Sequence, residues 1–287
     1  MGGSLFGEEK GEALGPLYKS ESRANARHVP AESRLHEGSS RLTCGKPENI
    51  ITVHTTYFCG SVTAIPTSEG LVLIDTAKPE TARQTLDVVR SWDNSPIHTV
   101  IFTHGHIDHT SGITVIDEEA NARGVARPRI IAHRNVKRRM DRYEASRGFN
   151  SIVQGQQFNM PGYVYPIGQR RPDEVYDDTL ALSIGGERID LFHGRGETDD
   201  ATFVWLPERR VLASGDFVIW VFPNAGNPRK VQRYAAEWAI ALRQMEQLKP
   251  QSLFPAMVRS FLVRSEQRRC CGMAPKRLSI WCARRSR

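Results

Sequence analysis

Three histidines and one aspartate stand within six residues of one another, and this cluster constrains the chain more than any other feature. It lies in residues 103–109 (THGHIDH), directly after the apolar segment 98–102 (HTVIF). A strand that ends in such a turn carries all four side chains to its C-terminal end. Imidazole and carboxylate groups are ligands of zinc and similar divalent ions. A catalytic tetrahedral ion keeps one position open for water or substrate, so four donors exceed what one ion can use. The spacing therefore predicts two ions. The predicted ligands are His104 and His106 for the first ion, and Asp108 and His109 for the second.

The turn resembles the H-x-H-x-D-H signature of the metallo-β-lactamase superfamily, and other segments follow in the order of that family. The chain has nine histidines and three of them fall in this window, which disfavours a polar loop with scattered histidines. Residues 71–76 (LVLIDT) form an apolar strand that ends at Asp75. The resemblance implies that Asp75 hydrogen-bonds the metal-binding turn and orients a ligand without binding metal itself. A role as a turn or cap residue is the alternative.

A third segment, residues 196–207 (GETDDATFVWLP), resembles the G-H-T segment of the family and the strand that follows it. Glu197 stands where the family usually has a metal-binding histidine, and the alkylsulfatase branch makes the same replacement. Glutamate binds zinc, so the resemblance implies that Glu197 completes the first site. His193 lies four residues earlier. We predict that His193 supports the pocket around the ligands, with direct ligation as the alternative.

Two further segments follow, and the second departs from the family. Residues 211–217 (VLASGDF) again end an apolar strand in an acid. The resemblance implies that this acid, Asp216, bridges the two ions. In residues 253–257 (LFPAM) the strand and the proline of the family are present, but Met257 replaces the last metal-binding histidine. A thioether is a poor ligand for zinc or harder ions, so we predict a weak second metal site.

The C-terminal segment differs in composition from the rest of the chain. Residues 259–287 contain nine Lys and Arg and one acid, a net of +8, whereas the whole chain carries +7 and the first 258 residues therefore −1. Three of the five cysteines also lie there. We interpret residues 258–287 as an atypical basic tail without ordered structure. A basic arm for nucleic acid or anionic lipid is the alternative, but the apolar cluster at 278–282 argues against it.

Residues 135–178 form a long polar insertion between the second and third metal segments, where the family places its substrate-covering elements. Within the insertion, residues 142–158 resemble the alkylsulfatase-like branch. Arginine suits a tetrahedral oxyanion because its planar guanidinium donates two parallel hydrogen bonds. The predicted substrate-binding residues are Arg142, Tyr143, Arg147 and Asn150. A solvated basic helix face is the alternative for each of these arginines.

Alternating strands and helices after a strand-rich start predict an α/β fold, and the resemblance implies a four-layer αββα sandwich with the metals at one edge. The apolar spacing predicts helices at 79–92 and 231–248. The predicted domains are an N-terminal arm at 1–48, a hydrolase domain at 49–257 and the tail at 258–287. No apolar run approaches the roughly 20 residues of a membrane span, and the N-terminus lacks an export signal, so we expect a cytoplasmic protein. The oligomeric state stays open, with a homodimer as one option.

The resemblance implies a binuclear zinc-dependent hydrolase in which a metal-activated water attacks a small-molecule ester. Asp108 would bind the second ion and orient this water as the catalytic residue. The carboxylates among the predicted ligands also make manganese or iron acceptable. An alkyl sulfate ester is the favoured substrate, and no nucleic acid partner is expected. Hydrolysis of a carboxylic ester or lactone at the same site is one alternative. An inactive relative that lacks the last metal ligand is the other.

Overall fold

The computed structural model describes residues 41–45, 49–54, 60–219, 233–257 and 261–262, with the backbone alone at 41–45 and 261–262. These residues contain two β-sheets. The strands of the first sheet are β1 (Arg41–Gly45), β2 (Ile50–His54), β3 (Val62–Thr67), β4 (Gly70–Ile74), β5 (Ile97–Phe102), β6 (Arg129–His133) and β7 (Glu174–Tyr176). They lie side by side in chain order. The pairs from β1 to β4 are antiparallel, and the pairs from β4 to β7 are parallel.

The second sheet is formed by the C-terminal half of the described chain. Its strands are β8 (Thr179–Ile184), β9 (Glu187–His193), β10 (Thr202–Leu206), β11 (Val211–Gly215), β12 (Ser252–Pro255) and β13 (Phe261–Leu262). They also lie side by side in chain order. The pair β11 and β12 is parallel, and the other pairs are antiparallel.

Helices connect and cover the strands. They are α1 (Pro79–Trp92), α2 (Ile107–Thr110), α3 (Ile113–Ala122), α4 (Asn135–Ala145), α5 (Arg147–Gln157) and α6 (Ala235–Gln247). In α1, a proline occupies the first turn, where a backbone N–H would have no acceptor within the helix, so the proline costs no helical hydrogen bond. The same helix buries Ala82, Leu86 and Val89 on one face, as their spacing predicts. None of the helices in the described part of the chain has the length and apolar character that a membrane span requires.

Apolar side chains fill three layers between these elements. The first layer lies between the first sheet and the helices α1, α3 and α4, and it includes Phe102. The second lies between the two sheets and includes Ile101 and Val204. The third packs α6, with Trp238, onto the outer face of the second sheet. Successive side chains of a strand point to opposite faces, so β5 contributes Phe102 and Ile101 to different layers. The predicted αββα sandwich is confirmed.

Two strands lie in segments that the sequence assigned outside the hydrolase domain. Strand β1 falls in the predicted N-terminal arm and pairs with β2, and β13 falls in the predicted tail and pairs with β12. The predicted helix at 231–248 is observed as α6, which begins at Ala235. Residues 231–232 and the remainder of the arm and tail lie outside the described residues. The domain limits therefore stay predictions.

The two sheets bring several polar segments to one edge of the sandwich. The parallel strands β4 and β5 end at this edge, directly before Asp75 and Thr103, and β11 ends directly before Asp216. The backbone N–H of Thr202 donates to the carbonyl oxygen of Thr103 at 2.7 Å. The hydroxyl groups of Thr202 and Tyr176 lie 2.6 Å apart. These bonds join the two sheets at the edge where the sequence predicts the metals.

Candidate metal centre

A buried aspartate holds the turn that follows β5. Asp75 is 1% exposed and adopts a left-handed backbone conformation, with φ of 62°. Its Oδ1 accepts the backbone N–H of Thr103 at 2.8 Å, and its Oδ2 accepts the Thr103 hydroxyl at 2.8 Å. Oδ2 also lies 2.7 Å from Nδ1 of His109. A carboxylate there holds the proton on Nδ1 and leaves the lone pair of Nε2 for a metal.

Four side chains converge beside this turn and could hold one metal ion. His104, His106, Glu197 and Asp216 each offer one ligand atom, and these atoms all lie within 4.8 Å of one another. Nε2 of His104 lies 2.8 Å from Nδ1 of His106 and 3.9 Å from Oδ2 of Asp216. Oε2 of Glu197 lies 3.7 Å from Nε2 of His104 and 3.5 Å from Nδ1 of His106. Imidazole and carboxylate donors at this spacing suit zinc or a similar ion.

A second group of ligand atoms shares Asp216 with the first. Nε2 of His109 lies 3.5 Å from Oδ1 of Asp216 and 3.5 Å from Oδ2 of Asp108. The two oxygens of Asp216 therefore face different groups, with Oδ2 toward His104 and Oδ1 toward His109. A carboxylate that bridges two ions requires this arrangement.

Buried polar atoms without hydrogen-bond partners mark the centre of these groups. Among the residues that the structure describes, Nε2 of His109, Oε2 of Glu197 and Oδ1 of Asp216 are buried and lack such a partner. Leaving a buried polar atom unpaired costs free energy, so unpaired atoms in a folded protein call for an explanation. Divalent cations at the two groups would satisfy these atoms, Oε2 of Glu197 at the first and Nε2 of His109 with Oδ1 of Asp216 at the second. The residues present therefore fit a metal centre.

The charges at the site also favour a cation. Burial raises the pKa of Asp216 well above its usual value, and the carboxylates of Glu197 and Asp108 add to this rise. Burial likewise favours the neutral form of Glu197, but His106 and Arg233 hold the pKa of Glu197 well below its usual value. Crowded carboxylates repel one another, and a divalent ion between them would relieve this repulsion.

The histidines respond to the same neighbours. Burial, helped by His109 and His106, lowers the pKa of His104 well below its usual value and favours the neutral imidazole that binds metal. Burial acts in the same direction on His109, but the carboxylates of Asp108 and Asp75 outweigh it and raise the pKa of His109. A raised pKa favours the protonated imidazole, so protons compete with metal for His109.

Arg233 orients the carboxylate of Glu197. Nη1 of Arg233 pairs with Oε1 of Glu197 and donates to the backbone oxygen of Glu197 at 3.1 Å. Oε1 is thereby engaged, and Oε2 faces His104 and His106. The sequence did not identify Arg233, because it lies 36 residues from Glu197 and belongs to no recognised motif.

His193 lies apart from the four-residue cluster. Its ring stacks on the ring of His133, with centroids 3.7 Å apart and an interplanar angle of 2°. Nδ1 of His193 lies 3.0 Å from the backbone oxygen of Ala201. Burial, together with the neighbouring His193, lowers the pKa of His133 to about 4. Glu197 is thus the residue that the structure brings to the cluster, and the supporting role of His193 stays a prediction.

One predicted substrate-binding residue, Tyr143, lies beside the cluster, and a second, Arg142, packs on it. The ring of Tyr143 stacks near the ring of His106, with centroids 6.4 Å apart and an interplanar angle of 25°. The guanidinium of Arg142 lies 5.3 Å from the centroid of the Tyr143 ring. Tyr143 also packs against the buried Tyr165, at a centroid distance of 5.2 Å. Helix α4 therefore carries the ring of Tyr143 next to a predicted ligand of the first ion, with Arg142 in contact with that ring.

The other two predicted substrate-binding residues make contacts within the insertion. Nε of Arg147 donates to the backbone oxygen of Tyr165 at 3.3 Å. Nδ2 of Asn150 donates to the hydroxyl of Ser146 at 2.9 Å. These bonds stabilise α5 and the segment that packs on it, and the roles of Arg147 and Asn150 in substrate binding stay predictions.

Met257 follows β12 beside the second group of ligands. The backbone N–H of the preceding residue, Ala256, donates to the oxygen of Gly215 at 3.2 Å, which places this segment next to Asp216. The hydroxyl of Ser61 donates to the oxygen of Ala256 at 2.7 Å. The position that holds a histidine in the family therefore lies at the same edge as the other ligands.

A buried ion pair beneath the turn was not predicted from the sequence. Nε of Arg139 lies 2.7 Å from Oδ2 of Asp200, and both side chains are buried. A weak signal was present, since Arg139 precedes Tyr143 by one helical turn and Asp200 follows Glu197 by three residues. Both residues thus belong to segments that carry predicted site residues.

Comparison with known proteins agrees with this geometry. A sequence model of the metallo-beta-lactamase superfamily matches residues 58–256. A metallo-beta-lactamase type 2 from Bacillus sp. (strain 170) is 27% identical over 205 residues, which cover 67% of this chain and 66% of that protein. A linear primary-alkylsulfatase from Pseudomonas sp. (strain ATCC 19151) is 22% identical over 169 residues, which cover 53% of this chain and 32% of that protein.

Solved structures share the fold. A stereoselective inverting sec-alkylsulfatase from Pseudomonas sp. has a TM-score of 0.66 at 19% identity, over 86% of this chain and 41% of that chain. A metallo-beta-lactamase from Pontibacter korlensis has a TM-score of 0.55 at 20% identity, over 78% of this chain and 94% of that chain. At these identities the likeness shows the fold alone. The present chain spans less than half the length of the alkylsulfatases that it matches.

Proposed function

Because the chain belongs to the metallo-β-lactamase superfamily, whose members are generally metal-dependent hydrolases, we propose that it is a binuclear zinc-dependent hydrolase of ester-type substrates. The convergence of four ligand atoms within 4.8 Å carries this proposal. The residues that would hold the first ion are His104, His106, Glu197 and Asp216, and those that would hold the second are Asp108, His109 and Asp216. The carboxylates in both groups would also accept manganese or iron.

The side chains around the site have separable roles in hydrolysis. When bound, the ions would supply Lewis acidity that polarises the substrate oxygen and acidifies water. Asp108 has a side chain that is 23% exposed, so it can face both a ligand position and the open side of the site. We assign it the orientation of the attacking water and the acceptance of its proton. Asp75 keeps His109 in the metal-binding tautomer, and Arg233 keeps Oε2 of Glu197 directed at the cluster.

An alkyl sulfate ester is the substrate class that we favour. Arg142 and Tyr143 lie on α4, where the ring of Tyr143 stacks near His106 and the guanidinium of Arg142 packs on that ring, and we assign them the binding of the sulfate oxygens. Helix α5 exposes Phe149 at 55% and Ile152 at 62%, which offers an apolar surface for an alkyl chain. Alkylsulfatases are among the relatives in both sequence and fold, together with metallo-beta-lactamases. Carboxylic esters and lactones are the alternative substrates at the same site.

Metal analysis joined to a substrate screen tests the proposal. In excess zinc or manganese, the wild-type chain should hold close to two ions per chain. It should hydrolyse sulfate esters faster than carboxylic esters, lactones or phosphate esters. The double variant His104→Ala, His106→Ala should lose the first ion and all hydrolysis, because two of its four ligands are gone. His98→Ala is the matched control, since this histidine lies at the opposite end of β5 and contacts Glu69.

Each outcome has a distinct meaning. Unchanged metal content in the double variant would refute the metal assignment. If the protein binds metal but hydrolyses carboxylic esters or lactones faster than sulfate esters, the proposed substrate class is wrong and the proposed mechanism stands. A wild-type chain that binds at most one ion and hydrolyses no member of the panel would identify an inactive relative, in which Met257 has removed the last ligand.

A further inference from the structure

A buried carboxylate lies directly beneath the turn that carries the first two predicted ligands. Oδ2 of Asp200 accepts the backbone N–H of Gly105 at 2.9 Å, and Gly105 is the residue between His104 and His106. Asp200 is 0% exposed and follows Glu197 by three residues, in the loop before β10. One carboxylate thus ties the Glu197 segment to the backbone between the two histidines.

The same carboxylate is paired with a buried guanidinium. Nε of Arg139 lies 2.7 Å from Oδ2 of Asp200, and the same side chain also pairs with Asp199. Arg139 is 4% exposed and lies on α4. Its Nη1 donates to the hydroxyl of Tyr143 at 3.4 Å. The ion pair therefore connects three segments: the metal turn, the loop of Glu197 and the helix that carries Arg142 and Tyr143.

The turn packs closely on this ion pair at Gly105, where there is no room for a side chain. A Cβ atom at Gly105 would lie 2.7 Å from Cδ of Arg139 and 2.9 Å from Oδ2 of Asp200. Burial raises the pKa of Asp200, but the guanidinium of Arg139 outweighs burial and lowers it, so the carboxylate stays charged. Removal of either partner would leave the other charge buried and poorly paired.

We propose that the ion pair between Arg139 and Asp200 positions His104 and His106 for metal binding and couples the first metal site to helix α4. The inference rests on the proposed function, because it assigns a metal to these histidines. Asp200 meets the turn at the backbone N–H of Gly105, and Arg139 acts on the turn by holding Asp200. By linkage, metal at the first site should in turn order α4, the helix that carries the predicted substrate-binding residues.

Three variants test the proposal. Asp200→Ala removes the acceptor, Arg139→Gln removes the guanidinium charge, and Asp200→Asn keeps an oxygen that can still accept the N–H of Gly105. Arg90→Gln is the matched control, because Arg90 forms a comparable two-bond pair with Glu119 between α1 and α3, away from the site. Zinc affinity is measured by competition titration, and amide hydrogen exchange of residues 103–109 and of α4 is followed with and without zinc.

The ion pair predicts a specific order of effects. Asp200→Ala and Arg139→Gln should each weaken first-site zinc binding roughly 10- to 100-fold, the scale for loss of groups that support ligands. The double variant Arg139→Gln, Asp200→Ala should be little worse than either single change, because both act through one contact. Asp200→Asn should recover part of the affinity. In the wild type zinc should slow exchange in α4, and this protection should be lost in the two damaging variants and kept in Arg90→Gln.

Several results would overturn the inference. Variants that melt at lower temperature but bind zinc as tightly as the wild type would show a merely structural ion pair. The same conclusion would follow if Arg90→Gln weakened zinc binding equally. A wild-type chain that binds no zinc would refute the proposed function instead. In that case, the Gly105 amide tests the positioning role by itself. If it exchanges hydrogen at the same rate in the metal-free Asp200→Ala variant as in the metal-free wild type, Asp200 does not hold the turn.

Discussion

Asp75→Asn isolates the contribution of one buried carboxylate to the metal centre. Asparagine has nearly the shape of aspartate and tolerates the left-handed backbone conformation of this position, where φ is 62°. The substitution therefore leaves the backbone unstrained. It changes one acceptor oxygen into an amide that donates, and it removes the negative charge next to His109.

The hydrogen bonds of Asp75 give the size of the effect. The aspartate accepts three donors, namely the N–H and hydroxyl of Thr103 and Nδ1 of His109. In Asp75→Asn, at least one of these buried donors must face the new amide hydrogens, which costs about 1–3 kcal/mol in the free energy of unfolding. If His109 avoids this by moving its proton to Nε2, that nitrogen no longer binds metal. Loss of such a supporting carboxylate weakens metal affinity roughly 10- to 100-fold.

Two measurements on the same protein check this reasoning. Chemical denaturation of the metal-free protein gives the free energy of unfolding, and calorimetric titration with zinc gives the affinity of each site. Asp190→Asn is the control, because Asp190 is also buried but pairs with Arg188 on β9. The control should change stability without changing zinc affinity. If Asp75→Asn binds zinc at both sites as tightly as the wild type, the role assigned to this carboxylate is wrong.

Three further predictions follow from single positions. Gly215→Ala should lower the free energy of unfolding by about 2–4 kcal/mol for two reasons. The residue has a left-handed backbone conformation, and the new Cβ would lie 2.9 Å from Cβ of Thr103. Gly186 has φ of 83° and no atom near the position of a new Cβ, so Gly186→Ala should lose only the stability that the left-handed backbone costs. If denaturant titrations show equal losses for both variants, the contact with Thr103 does not destabilise Gly215→Ala. Met257→His should tighten second-site zinc binding about 10- to 100-fold in calorimetry, and two equally tight sites before and after the change would mean that another residue completes the shell. His133 should remain neutral in the folded state down to its pKa of about 4, whereas it takes up a proton near pH 6.5 when unfolded, so stability should fall as pH drops through this window. The full shift would correspond to about 3 kcal/mol, and screening by solvent reduces the expected contribution of this group to about 1–2 kcal/mol. His133→Gln should therefore flatten the profile of unfolding free energy against pH.

Local patterns in the chain were sufficient to predict most of the layered fold. The helix at 79–92 was predicted with the bounds that the structure has, because its apolar spacing and its initial proline are both local signals. Strands β4 and β5 were recognised as short apolar runs that end in polar turns. Strand β1 was missed, because its sequence (RLTCG) lacks an apolar run and its pairing with β2 depends on backbone hydrogen bonds.

The site divides in the same way. The ligands of the turn could be predicted because their spacing along one strand end confines them to one region, whatever the remainder of the chain does. Glu197 and Asp216 were placed from the resemblance, and the structure brings both to the same cluster as His104 and His106. Met257 was recognised as a departure because a strand and a proline precede it in the expected order.

The sequence by itself determined which side chains are available to bind metal, since ligand chemistry and close spacing are properties of the chain. The tertiary structure alone decided how those side chains are held. Arg139 and Asp200 are separated by 61 positions, and Arg233 and Glu197 by 36, so no periodic or local pattern shows that the members of either pair meet. Their contacts exist because burial at one edge of two packed sheets forces each charge to find a partner, and that requirement arises only when the layers are assembled.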